Sequence, residues 1–158
     1  MKAHKIPCSP AQSPLPGIDF CDSFVLDVTG SLSAYDAATL ALGRMPMWVQ
    51  ALMTLRNALV APFGLKHDIR QFEADSIGIF PVVSQTPDRV VLGFDDRHLD
   101  FRVTIDTLTR TDSDGAPSTT VTASTWVRTH NLFGRLYLAG VKPFHDVIVP
   151  TALNQLLA

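Results

Sequence analysis

The length and composition of the chain are those of one ordinary globular domain. Its 158 residues can bury a core without disulfides or metals, and 46% of them are hydrophobic while 18% are charged. The formal net charge of -2 leaves no excess of positive charge to neutralise a phosphate backbone, so nucleic acid is not an expected partner. The longest apolar stretch, residues 45–65, is interrupted by Gln50, Arg56 and Pro62, so no membrane span is expected.

The N-terminal segment has the composition of a leader. Residues 1–18 are rich in proline and lack the apolar central region of a signal peptide. We therefore expect a flexible leader over residues 1–18, one domain over residues 19–158, and no export. Cys8 lies in this leader and Cys21 near the first strand, so the two cysteines form neither a disulfide framework nor a metal motif. A cytoplasmic location is the expectation, because thiols stay reduced there.

A strand and two helices are predicted first. Residues 20–28 alternate between apolar and polar side chains, which predicts a half-buried strand. Ser33 can cap a short helix over residues 34–42, and Gly43 can end it. A second helix is predicted to start at Pro46. Its apolar stripe comprises Trp48, Val49, Leu52, Leu55, Leu59 and Val60.

Beyond these helices the pattern has the period of strands. Residues 77–83 form a nearly continuous apolar run, and Pro81 within it indicates an edge strand or a bulge. Residues 119–129 are rich in β-branched side chains, which also favour a strand.

Two alternating runs between these strands predict a hairpin. They cover residues 90–94 and 99–105, and Asp96 and Arg97 can form a two-residue loop between them. That loop would place one apolar face along the whole hairpin. The predicted facing pairs are Phe94 with Leu99, Leu92 with Phe101, and Val90 with Val103.

A long helix is predicted at the C-terminus. Asn131 can cap it, and Pro143 and Pro150 should kink or divide it. Its predicted apolar face comprises Phe133, Leu136, Tyr137, Gly140, Val141, Phe144 and Ile148.

This order of elements predicts an α+β fold. A curved antiparallel sheet of about five strands would wrap the long C-terminal helix, and the two helices after the first strand would close one end. That is the helix-grip arrangement of START-like domains. A fold of this kind says little about chemistry.

Four stretches carry a resemblance to a known family. They are MPMWVQALMTLRNALVAPFGLK, IGIFPVVSQ, LGFDDRHLDFRV, and RTHNLFGRLY followed by KPFHDVIVP. The chain is similar in these stretches to the bacterial proteins grouped as domain of unknown function 2867, and the resemblance covers roughly residues 20–158. It implies a START-like fold and no established activity.

The richest polar constellation is predicted on the hairpin. Because strand side chains alternate, His98, Asp100 and Arg102 share the face opposite the apolar one. The next strand would bring Trp126 and Arg128 beside them, with His130 at the rim.

Three interpretations of this constellation are open. The two histidines and Asp100 could hold a metal ion. Alternatively, His98 or His130 could act as a general base oriented by a nearby carboxylate, although no nucleophile, phosphate loop or cofactor motif accompanies them. The simplest interpretation is an ion-pair ladder of Asp100 between Arg102 and Arg128 that needs no ligand. Whether the chain is an enzyme is therefore open.

Other residues also have a functional and a structural interpretation. Trp48 and its neighbouring methionines could line an apolar tunnel or pack the core. Arg56 could bind a ligand carboxylate or pair with an acidic side chain of the sheet. His145 and Asp146 are expected on a solvated helix face.

Three functions remain, and binding of an apolar or lipid-like small molecule is the leading hypothesis. The cavity would lie between the sheet and the last helix, without a metal or cofactor. The alternatives are a cyclase- or hydrolase-like enzyme that uses His98, His130 and nearby carboxylates, and a structural or protein-interaction module. The chain is expected to be a monomer or a homodimer. The candidate ligand-binding residues are Trp48, Arg56, His98, Asp100, Arg102, Trp126, Arg128 and His130.

Overall fold

The computed structural model of the chain describes residues 1–44, 46–47, 50–51, 54, 58, 61–63 and 75–158. Its strands are β1 (His4–Ile6), β2 (Phe20–Thr29), β3 (Ser76–Ile77), β4 (Phe80–Gln85), β5 (Arg89–Asp95), β6 (Leu99–Thr111) and β7 (Pro117–Thr129). Its α-helices are α1 (Ala34–Leu42) and α2 (Leu132–Asn154), and short 3-10 turns occur at Pro10–Gln12, Ala61–Phe63 and Gln155–Leu157.

The fold is α+β, as predicted. One antiparallel sheet has the strand order β1-β2-β7-β6-β5-β4-β3. Because β2 pairs with β7, the first long strand lies beside the last one. The strands β3 to β7 form a meander, and β1 lies at the other edge, beside β2. The expectation of about five strands was too low, since the described residues form seven.

The two additional strands have local causes. The first, β1, lies within the expected leader, where His4 pairs with Val25 of β2. The second arises because a turn at Gly78 divides the apolar run of residues 77–83 into β3 and β4. Gly78 has a φ of +60°, and a Cβ there would lie 2.6 Å from the backbone oxygen of Leu42, so only glycine fits this turn.

The β5–β6 hairpin is shifted from its predicted register by two residues. Phe94 lies opposite Phe101 instead of Leu99, and Asp95 lies opposite Asp100. The backbone N–H of Asp96 donates to the carbonyl oxygen of Leu99 at 2.9 Å, so the turn is one residue further along the chain than predicted. A shift by two residues keeps every side chain on its predicted face, since the period of a strand is two.

The two faces of the sheet differ in what covers them. The inner face is the one against which α1 and α2 pack, and its buried side chains include Phe24, Leu26, Leu92, Ile105 and Val121. The outer face carries the alternate residues, among them Ser23, Thr104, Ser124 and Trp126.

The helix α1 matches its predicted bounds. The side chain of Ser33 accepts a hydrogen bond from the backbone N–H of Asp36 at 3.1 Å, which is the expected cap. Its buried face consists of Ala34, Ala37, Ala38 and Ala41, and these small side chains let the helix approach the sheet closely. The second predicted helix, from Pro46 onward, lies largely outside the described residues.

The helix α2 begins as predicted but is rotated about its axis. Asn131 caps it by accepting from the backbone N–H of Gly134 at 2.9 Å, and the helix is continuous through its two prolines instead of divided. Three residues of the predicted apolar face are exposed: Gly140, Leu136 at 63% and Phe144 at 53%. Gly134 explains the rotation, because it lies against the backbone oxygen of His98 so closely that any Cβ would clash there.

Among the helices of the described residues, none is both long and apolar enough to cross a membrane.

Candidate functional site

Three side chains between α2 and the inner face form a hydrogen-bonded chain, which we call the Asp22–His145–Thr125 relay. Nδ1 of His145 lies 2.9 Å from Oδ2 of Asp22, and Nε2 of His145 lies 3.0 Å from Oγ1 of Thr125. A carboxylate can only accept, so Nδ1 carries a hydrogen, and Nε2 of the neutral ring accepts from the Thr125 hydroxyl. This is the orientation in which a carboxylate prepares an imidazole to take a hydroxyl proton.

The relay also holds α2 against the sheet. Asp22 is 3% exposed, and its second carboxylate oxygen, Oδ1, has no hydrogen-bond partner among the described residues. A buried carboxylate is costly unless it is paired, so the contact with His145 offsets much of that cost and ties α2 to β2.

Sequence reasoning missed this relay because it assigned His145 to a solvated helix face. That assignment was wrong: the His145 side chain is only 17% exposed. One signal was present in the sequence. Alternation places Asp22 on the same strand face as Phe20 and Phe24, and a carboxylate on an apolar face requires a partner.

Next to the relay lies a shallow groove of about 250 Å³, which we call the α2 groove. It is lined by Asp19, Thr129, Arg135, Leu138, Ala139 and Lys142. Phe20 connects the groove to the relay, because its ring meets that of His145 edge-on at 6.3 Å while Nζ of Lys142 lies 4.8 Å from its centroid.

Asp19 closes one side of the α2 groove. Its Oδ2 accepts hydrogen bonds from the backbone N–H of Thr129 at 2.7 Å and from the Thr129 hydroxyl at 2.8 Å. These bonds, helped by the charges of Arg135 and Arg128, lower the pKa of Asp19. The carboxylate is therefore ionised at neutral pH and bonded to Thr129 through Oδ2, and the two cations of the groove outnumber it.

The polar constellation predicted on the outer face is divided into separate pairs. Nε2 of His130 lies 2.9 Å from Oδ1 of Asp100, and Nη1 of Arg102 lies 2.8 Å from Oδ1 of Asp95. The predicted ladder of Asp100 between two arginines is therefore replaced, because Arg102 turns to Asp95. Arg128 is exposed, although it lies opposite Asp100 in the register.

His98 makes its contacts at the rim of the sheet. It lies in the β5–β6 turn, where its Nδ1 is 2.9 Å from Nδ2 of Asn131 and its ring is 4.7 Å from that of Phe133. In the described part of the chain, no three His, Cys, Asp or Glu side chains are placed to hold a metal ion. The metal site of His98, His130 and Asp100 is accordingly not formed.

Trp126 is buried in the middle of the outer face, at 1% exposure. Its Nε1 donates to Oγ1 of Thr104 at 3.3 Å, and the hydroxyls of Ser23 and Ser124 meet at 2.7 Å beside it. This part of the outer face is therefore packed. The remaining candidates, Trp48 and Arg56, lie outside the described residues.

Comparison with known proteins identifies the chain at the level of a family. The family model described as "Protein of unknown function (DUF2867)" matches residues 14–152. No curated protein matches the chain. Since the matched residues are most of the chain, the protein belongs to the DUF2867 family.

Proposed function

We propose that this protein is a small-molecule binding domain and that its ligand, an apolar molecule with an anionic group, binds in the α2 groove. The observation that carries the proposal is the pair of cationic side chains, Arg135 and Lys142, on either side of Leu138 in that groove. Their spacing along α2 places them on one face of the helix, so one extended ligand can contact all three.

The charges in the α2 groove favour an anion. Among the described residues, neither Arg135 nor Lys142 forms an ion pair with a carboxylate. The close cation–carboxylate pairs in this part of the chain involve other residues. Lys142 instead lies over the ring of Phe20. An arginine can bind a carboxylate or sulfonate through two parallel hydrogen bonds, and the ring of Phe20 with Leu138 can contact the apolar body.

A helix-grip, START-like architecture is part of the same proposal. It is supported by the packing of the long helix α2 against β2 and β7 of an antiparallel sheet. In such an arrangement the seam between the helix and the sheet is a natural place for a ligand.

The probe for this proposal is anilinonaphthalene sulfonate, which joins an apolar ring system to an anion and fluoresces when bound. We expect the double variant Arg135→Gln/Lys142→Gln to bind it at least tenfold more weakly than the wild type. Each charge-assisted hydrogen bond contributes about 1.5–3 kcal/mol, and about 1.4 kcal/mol corresponds to a factor of ten.

The matched control is Arg110→Gln, since Arg110 is an exposed cation at the far end of the β6–β7 hairpin. It should bind the probe as the wild type does. Equal binding by all three proteins would refute the α2 groove as the site, and circular dichroism would verify that each variant is folded.

A second function, ester or amide hydrolysis, is favoured by the Asp22–His145–Thr125 relay. In it, Oγ1 of Thr125 would attack the carbonyl carbon while its proton passes to Nε2 of His145, and the imidazolium would return that proton to the departing alcohol or amine as its bond to the carbonyl carbon breaks. Water, deprotonated by the same imidazole, would then release the acyl group from Thr125 as a carboxylic acid. Incubation with p-nitrophenyl acetate tests it: turnover lost in Thr125→Val but kept in Thr122→Val, on the opposite face of the same strand, would support hydrolysis. No turnover above the buffer rate would exclude this ester chemistry.

A further inference from the structure

The register of β1 brings the two cysteines of the chain together. Ile6 is the last paired residue of β1 and lies opposite Ser23 of β2. In an antiparallel pair the next residue on the same face, two positions along, meets the residue two positions back on the partner. Continuing the register past Pro7, Cys8 therefore reaches Cys21, even though Pro7 has no N–H with which to extend the ladder.

The surroundings of Cys21 agree with this register. Burial, together with a hydrogen bond to the Cys8 thiol and the charge of Asp22, raises the pKa of Cys21 to about 12. Both cysteines are free and half-buried. Facing residues of antiparallel strands have Cα atoms about 4.5–5.5 Å apart, which is within the range that a disulfide requires.

The strand β1 and the residue before it contact α2 as well as β2. The backbone N–H of Ala3 donates to Oδ1 of Asn154 at 2.8 Å, and Nζ of Lys5 lies 2.7 Å from Oδ1 of Asp146. Asn154 and Asp146 both belong to the second half of α2. Anything that fixes β1 to the sheet edge therefore also restrains this helix.

We propose that Cys8 and Cys21 are a reversible oxidation site, whose disulfide locks β1 onto β2 and thereby holds the second half of α2 against the sheet. The oxidant is a small disulfide such as oxidised glutathione. The Cys8 thiolate attacks one glutathione sulfur and releases the first glutathione thiol. Cys21 then displaces the second, so one disulfide is reduced to two thiols as one protein disulfide forms. The second step is intramolecular, because Cys8 holds the mixed disulfide beside Cys21.

The test is to incubate the folded full-length chain with oxidised glutathione and compare it with the dithiothreitol-reduced form. We expect the intact mass to fall by two hydrogen atoms, and a non-reduced digest to contain the Cys8 peptide linked to the Cys21 peptide. The disulfide closes a loop and thereby restricts the unfolded chain. The melting temperature should therefore rise by about 5–10 °C on oxidation and fall back to its original value on reduction.

The controls are Cys8→Ser and Cys21→Ser, each compared with itself before and after oxidation, so that any change in its own stability cancels. Both should acquire glutathione or remain thiols, with no rise in melting temperature. The proposal is overturned if the wild type keeps bound glutathione, forms only disulfide-linked dimers, or forms the internal bond without a rise in melting temperature.

Discussion

Replacement of His145 by alanine is expected to lower the free energy of unfolding by about 3–5 kcal/mol, the usual cost of leaving a buried charge without its partner. The substitution leaves Asp22, which is 3% exposed, without its hydrogen-bonding imidazole. Urea denaturation at neutral pH, followed by circular dichroism, measures the change. The matched control is His4→Ala, because His4 is an exposed histidine on β1 and its loss should change stability by less than about 0.5 kcal/mol.

A second substitution tests whether the buried charge of Asp22 causes the loss of stability in His145→Ala. In the His145→Ala background, Asp22→Asn should recover part of the lost stability, because a neutral amide costs less to bury than a carboxylate. If His145→Ala costs less than about 1 kcal/mol, or if Asp22→Asn makes that variant worse, the buried pair does not fasten α2 to the sheet.

The substitution Trp126→Ala should lower the free energy of unfolding by about 3–5 kcal/mol, since it removes the largest fully buried side chain of the described residues and leaves a cavity. Trp126→Phe keeps most of the ring volume and loses the hydrogen bond to Thr104, so its cost should be about 1–2 kcal/mol. Chemical denaturation of both variants provides the comparison, with Leu108→Ala as the control because Leu108 is 52% exposed on the same sheet.

This experiment also bears on the hypothesis that Trp126 is a ligand-binding residue. A packing role predicts a large loss of stability, with binding of anilinonaphthalene sulfonate unchanged in the still-folded Trp126→Phe variant. Full stability of Trp126→Ala together with lost probe binding would instead support the ligand role.

The elements that could be predicted from the sequence depend on interactions between near neighbours. Ser33 caps α1 and Asn131 caps α2, as the sequence indicated, because a capping side chain reaches only two or three residues along the chain. The inner and outer faces of β5 and β6 also agree with prediction. Alternation has a period of two and survives the two-residue error in register.

What was missed depends on residues distant in the sequence. The strand β1 is recognisable only through its partner β2, since Lys5 and its neighbours have no strand pattern of their own. The proximity of Cys8 to Cys21 was missed for the same reason. Likewise, the rotation of α2 depends on the close contact between Gly134 and the backbone of His98, which no helical periodicity contains.

The sequence by itself therefore determined the class of the fold, the bounds and caps of α1, the start of α2 and the two faces of the central hairpin. Each of these follows from backbone sterics and local hydrogen bonds. Only the tertiary structure decided which polar groups meet. It placed His145 of α2 on Asp22 of β2, more than a hundred residues away in the chain, and paired His130 with Asp100. Such contacts arise because packing buries a charged side chain, which is costly unless another polar group binds it. The sequence pattern of one element does not indicate which residue of another element will lie beside that charge.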